Sequence, residues 1–180
     1  GRKALVLIIR LAAQAPTRGG RLSSNVRRHR QGLSPSFIRR NCMSYLPVRL
    51  SPGADLRRSL EQHASELPAG SAFVVAGIGS LSSVGIRLAA AEQETRVSGS
   101  FELLSLSGTL SANGAHLHMS VANEAGQVIG GHVCYGNVIR TTAEVLLVAL
   151  EGWQLTRALD PTTGYRELQA KPVVGGTGAA

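Results

Sequence analysis

The chain has 180 residues, a net charge of +8, only 17% charged residues, 21 glycines and two cysteines. That length allows one domain with a sizeable core, and the glycine content suits turn-rich β structure. Two cysteines are too few and too far apart in sequence to suggest a disulfide framework or a paired-cysteine zinc clip, so a reducing, cytoplasmic setting is expected.

The charge is unevenly spread. Residues 1–42 hold ten Lys/Arg and no acid, whereas residues 43–180 hold nine basic against eleven acidic residues, a balance of −2. The body of the chain therefore lacks the net positive charge by which proteins hold duplex DNA. Residues 1–42 read as a basic leader, expected to be disordered or to precede a natural start at Met43. Its apolar run Leu5–Ile9 is cut off by Arg10, far short of a membrane span.

From Met43 the pattern becomes orderly. Tyr45–Leu50 reads as a strand, and Pro52-Gly53-Ala54 turns the chain into a helix over about Leu56–Glu66, with Asp55 as N-cap. Leu56, Leu60, His63, Ala64 and Leu67 form one stripe of that helix, which Pro68-Ala69-Gly70 ends. Ser71–Gly79 predicts a buried strand, Ser80–Ser83 a turn, and Val84–Ala90 a further strand. Phe101–Leu106, a hairpin around Asn123–Gln127 and Thr142–Leu150 supply the rest. The fold class is α+β, with one main helix packed on a curved, largely antiparallel sheet of about six or seven strands. A single domain over 43–170 is expected, with residues 171–180 as a flexible tail.

The hairpin carries the chemistry. Asn123-Glu124-Ala125-Gly126-Gln127 fits a three-residue loop in which a type I turn is followed by glycine at positive φ. With Asn123 facing Gln127, His118 lies opposite His132, and His116 projects from the same face two residues away. Leu117, Met119, Val121, Ile129, Val133 and Tyr135 then share the opposite, core face. A two-residue loop would shift the register by one and scatter both sets.

Three imidazoles on one polar face are a ligand set for a divalent ion, zinc foremost, with a fourth position open. The plainer reading is that His118 and His132 only hydrogen-bond across the hairpin or line a subunit contact. Glu102, in an otherwise apolar strand, and Glu144, ahead of a buried run, are candidates to orient a ligating histidine, to pair with Arg87 or Arg140, or to meet another subunit. Cys134 is a candidate soft ligand beside His116, or simply a buried free cysteine. No nucleophile elbow, P-loop or dinucleotide fingerprint occurs.

Six separated blocks, Gly77-Ile78-Gly79-Ser80-Leu81-Ser82, Phe101 to Gly108, His116-Leu117-His118, Gly130-Gly131-His132, Thr142-Ala143-Glu144-Val145 and Asp160 to Tyr165, resemble in order the plant-and-prokaryote-conserved (PPC) domain. The resemblance runs from Tyr45 to about Leu168 and is closest to the stand-alone bacterial type, since the plant versions lack the histidines. It implies an α/β sandwich-like domain that assembles as a homotrimer and serves in association or regulation. Prokaryotic copies commonly carry a DNA-binding label by transfer. The nearest string to an AT-hook here, Arg18-Gly19-Gly20-Arg21, lacks both the Arg-Gly-Arg spacing and the proline. The expected function is a homotrimeric, non-enzymatic module that binds a metal ion or small ligand at His116, His118 and His132, with itself and a small-molecule or protein partner as companions and no membrane role. A metal-dependent enzyme using the same three histidines, and a DNA-binding regulator, are the alternatives.

Overall fold

The computed structural model describes residues 43–173, so the leader and the last seven residues of the expected tail lie outside the described residues. Alternating exposure along Met43–Leu50 (β1) buries only its last residue fully, as an edge strand should. The chain then turns into Leu56–Ser65 (α1), whose Arg58 N–H donates to the Asp55 side chain, the expected N-cap. Leu56, Leu60 and Ala64 form the buried stripe.

Ala72–Arg87 (β2) and Thr95–Ser111 (β3) are long strands. Gly114–Asn123 (β4) and Val128–Val133 (β5) form the hairpin, and Ile139–Leu150 (β6) follows. These make a six-stranded antiparallel sheet in the order β1-β6-β2-β3-β4-β5. Trp153–Leu159 (β7) and Arg166–Pro172 (β8) form a separate two-stranded sheet. The molecule is thus sheet-dominated α+β with one short helix among the described residues. The core lies between α1 and one face of the large sheet, with Leu56 and Leu60 joining Leu81, Ile86, Leu106, Leu110, Leu117, Ile139 and Leu147.

Two features depart from the sequence expectation. Ser80–Ser83 is not a turn, because β2 continues through it without a break, bulged between Leu81 and Ser83. Its hydroxyls find partners on β6 and in the loop before it: Ser80 Oγ meets Thr141 Oγ1, and Ser83 Oγ donates to the Gly136 carbonyl at 2.6 Å. Serine satisfied in this way needs no turn. The bulge bends β2 so that its end pairs with β5, Ile86 with Val133 and Arg87 with His132, closing β2-β3-β4-β5 on itself. The second departure is the β7–β8 pair itself. Lys171 and Pro172 pair with Gln154 and Trp153, so ordered strand runs past residue 170, where a flexible tail is expected.

Buried Asn137 ties the loop after β5 to β2. Its Oδ1 accepts from the Gly85 N–H at 2.8 Å, and its Nδ2 donates to the Gly85 and Cys134 carbonyls at 3.0 and 2.6 Å.

Candidate metal centre

The hairpin forms as its turn chemistry requires. Asn123 N–H donates to the Gln127 carbonyl at 3.0 Å, Gly126 N–H donates to the Asn123 carbonyl at 2.9 Å, and Gly126 sits at φ 74°. His118 pairs with His132, Ser120 with Gly130 and Ala122 with Val128. Leu117, Met119, Val121 and Val133 are buried on the far side. Tyr135 is not among them: β5 ends at Val133, and the tyrosine stands 41% exposed. Its hydroxyl donates to Glu61 Oε2 at 2.8 Å, beneath the guanidiniums of Arg57 and Arg58.

The three histidines converge. His118 Nε2 lies 3.1 Å from His116 Nε2 and 3.1 Å from His132 Nδ1, and one ligand atom from each ring falls within 4.8 Å of the others. A neutral Nε2 has one in-plane site, either a proton or a lone pair, so His118 cannot make two well-directed ring hydrogen bonds there. Three lone pairs aimed at one cation resolve that conflict. The 3.1 Å separations are also close to the edge of a zinc tetrahedron, about 3.3 Å for Zn–N bonds of about 2.0–2.1 Å. The residues present therefore fit a small divalent ion. Burial holds the His116 proton affinity below the usual histidine range, reinforced by Arg157 and the neighbouring imidazoles, with Glu167 opposing. Burial does the same for His132, followed by Arg87 and His118. Neutral, ligating imidazole is favoured at both.

The other predicted residues are placed differently. Glu102 and Glu144 are exposed, and neither hydrogen-bonds a histidine or forms an ion pair among the described residues. Glu102 pairs across strands with Ser80 and Ala122, and Glu144 with Arg49 and Ile78. Arg87 donates instead to the Ala91 carbonyl at 3.1 Å. Cys134 is half-buried, its Sγ 3.8 Å from the His132 carbonyl oxygen, and burial raises the thiol pKa first, followed by Glu94.

Beside the imidazoles lies a cavity of about 460 Å³, lined by His116, His132, Arg57, Arg87, Arg157 and Arg166 among others. Composition could not reveal it, because its walls come from α1, β2, the hairpin and β7–β8. Asn113, in the β3–β4 turn, clamps both the N–H and the carbonyl of Arg157 at 2.8 and 2.9 Å. Arg157 Nη2 then donates to Thr109 Oγ1 at 2.8 Å, on the residue that pairs with His116.

Known proteins place the chain. It is 43% identical over 129 residues to the bifunctional protein GlmU of Synechococcus sp. (strain JA-2-3B'a(2-13)), a match covering 72% of this chain and 20% of that one. The chain thus spans about a fifth of the length of the curated relatives it matches. A hypothetical protein from Salmonella enterica has a solved structure with TM-score 0.71 and 32% identity, covering 73% of this chain and 96% of that one. A metal-containing protein from Archaeoglobus fulgidus superposes with TM-score 0.61 and 28% identity, covering 70% and 93%. Residues 39–151 match the Plants and Prokaryotes Conserved domain, a match that stops before β7, whereas the resemblance by motif extends to Leu168. The chain belongs to the Plants and Prokaryotes Conserved (PCC) domain family.

Proposed function

We propose that the chain is a metal-binding association module, with His116, His118 and His132 holding one divalent ion, zinc foremost. The observation that carries this reading is the convergence of three ring nitrogens, with His118 Nε2 at 3.1 Å from both neighbours. The metal-containing protein from Archaeoglobus fulgidus shares the fold at 28% identity and supports the same reading. A zinc ion on three imidazoles keeps a fourth position for an exogenous ligand, and there it supplies Lewis acidity. This chain's own part is to hold the imidazoles neutral and orient them from two paired strands. The test is the metal content of the purified full chain by mass spectrometry, with an anomalous scattering scan at the histidines. About one zinc per chain is expected; no metal after purification and none bound at micromolar zinc would refute it.

Self-association is the second part of the proposal, as a homotrimer. On the sheet face away from α1, Tyr45, Val75, Ile78 and Leu104 are 62%, 52%, 57% and 49% exposed. A groove of about 520 Å³ there is lined by Pro47, Ala76, Ile78 and Leu146, with Arg49 and Glu144 among its other residues. Apolar surface of this kind suits contact with another copy, and it gives Glu144 a role in subunit contact rather than at the metal. Light scattering of the full chain at micromolar concentration should give three times the chain mass. A clean monomer would refute assembly.

A further inference from the structure

We propose that the cavity beside the histidines binds the phosphate dianion of a small molecule, gripped by Arg87, Arg157 and Arg166. The inference builds on the metal reading, since the ion would face the same cavity, but the arginines stand whether or not metal is held.

Charge placement carries it. Residues 43–180 hold nine Lys/Arg against eleven acids, yet four of the nine cations and only one of the acids, Glu167, line this one cavity. Arg57 is matched by Glu61 at 2.9 Å. Among the described residues, Arg87, Arg157 and Arg166 have no carboxylate within ion-pair distance. Three guanidiniums without a carboxylate partner line this one concavity, and a dianion matches that charge more fully than a carboxylate monoanion.

Donors remain to meet it. Arg87 and Arg166 each spend one side-chain nitrogen on a backbone carbonyl, of Ala91 and Arg157 respectively. Arg157 spends Nη1 and Nη2 on the Arg166 carbonyl and Thr109 Oγ1. Its Nε is the one buried side-chain nitrogen or oxygen among the described residues without a hydrogen-bond partner. A buried donor left unpaired is costly, and an anion oxygen would satisfy it once the Arg157 side chain shifts to open Nε to the cavity. The Asn113 clamp fixes the Arg157 backbone in advance, which lowers the ordering cost of binding. Two of the three arginines come from β7–β8, beyond the stretch that matches the family.

Size sets the ligand class. A cavity of about 460 Å³ lies in the range of small-molecule sites, about 300–1,000 Å³, and exceeds what inorganic phosphate alone would fill.

The test is calorimetric titration of the full chain at constant ionic strength with inorganic phosphate and, separately, glycerol phosphate, with acetate as control. Metal content is measured on the same samples. One phosphate per chain should bind saturably, and Arg87→Gln or Arg166→Gln should each weaken it at least about tenfold. Arg140→Gln removes a positive charge outside the cavity and should change affinity less than about twofold. Because Arg166 is exposed, its replacement leaves the core intact. Binding of glycerol phosphate at least as tight as that of inorganic phosphate identifies an esterified ligand and supports the proposal; clearly tighter binding of the free ion overturns the esterified class that the cavity size indicates. Absence of saturable binding, equal binding of acetate, or equal affinity in all variants overturns it. Arginine-dependent phosphate binding by a chain that carries no metal would sink the metal reading and leave this one standing. A metal-loaded chain that ignores phosphate would do the reverse.

Discussion

His118→Ala should lower zinc affinity by at least about 100-fold while leaving the fold in place. His118 is the central member of the cluster, within 3.1 Å of both other ring nitrogens. Loss of a mere outer-shell partner already costs about 10–100-fold in metal affinity, so loss of a ligand should cost no less. The side chain is exposed, and its buried strand neighbours Leu117 and Met119 keep their core contacts. Stability without metal should therefore stay within about 0.5 kcal/mol of the parent. Thermal unfolding with and without zinc separates the two effects: the parent midpoint should rise with zinc, as for any ligand that binds the native state alone, and the variant's should not. A variant that keeps its full zinc content would reduce the three histidines to a hydrogen-bonded cluster.

The same cluster sets a pH dependence. His116 and His132 titrate below the usual histidine value of about 6.5, chiefly through burial, so protons compete weakly with metal at neutral pH. Zinc occupancy should hold at pH 7 and fall as the pH drops below about 6. For the metal-free chain, lowered folded-state pKa values mean that the unfolded chain takes up protons first. These two groups should therefore cost stability as pH falls below about 6.5 and should not affect it above. Zinc titrations and urea unfolding at pH 5, 6 and 7.5 check both statements.

How much of the fold and site is legible in the sequence depends on whether the signal is local. The hairpin register can be read because a turn fixes it: Asn123 and Gly126 set the loop, and strict alternation then sorts the histidines from Leu117, Met119 and Val121. The α1 cap and stripe are local in the same sense. The bend of β2 is not, because a serine run looks like a turn until its partners Thr141 and Gly136, more than fifty residues away, are seen to satisfy it. That bend pairs Arg87 with His132, so reading a turn there also hides an arginine of the cavity. The alternation Trp153-Gln154-Leu155-Thr156-Arg157 followed by Gly164 does signal a hairpin, and with it Arg157 and Arg166. Tyr135 departs for a complementary reason: period-2 alternation does not hold two residues beyond the end of its strand.

Gly108→Ala should be the most damaging small substitution for both fold and site. Gly108 lies in β3 between two partners, opposite Val74 on β2 and Leu117 on β4, at φ 141° where side chains are rarely tolerated. An added Cβ would run into the His116 carbonyl oxygen, well inside van der Waals contact, and come within 2.9 Å of the Leu117 Cα. Both obstacles are backbone, so no rotamer change relieves them. Strained φ and overpacking each cost about 1–3 kcal/mol, giving about 2–6 kcal/mol against a total stability of about 5–15 kcal/mol. The displaced strand carries His116, so zinc affinity should fall together with stability. Gly126→Ala isolates the φ contribution, because Gly126 also has positive φ but nothing lies within 4 Å of the position its Cβ would take. It should cost about 1–2 kcal/mol and leave zinc binding intact. Urea unfolding and zinc content of the two variants decide the matter: a Gly108→Ala chain no less stable than Gly126→Ala would mean that β4 yields to the methyl group without losing its pairing.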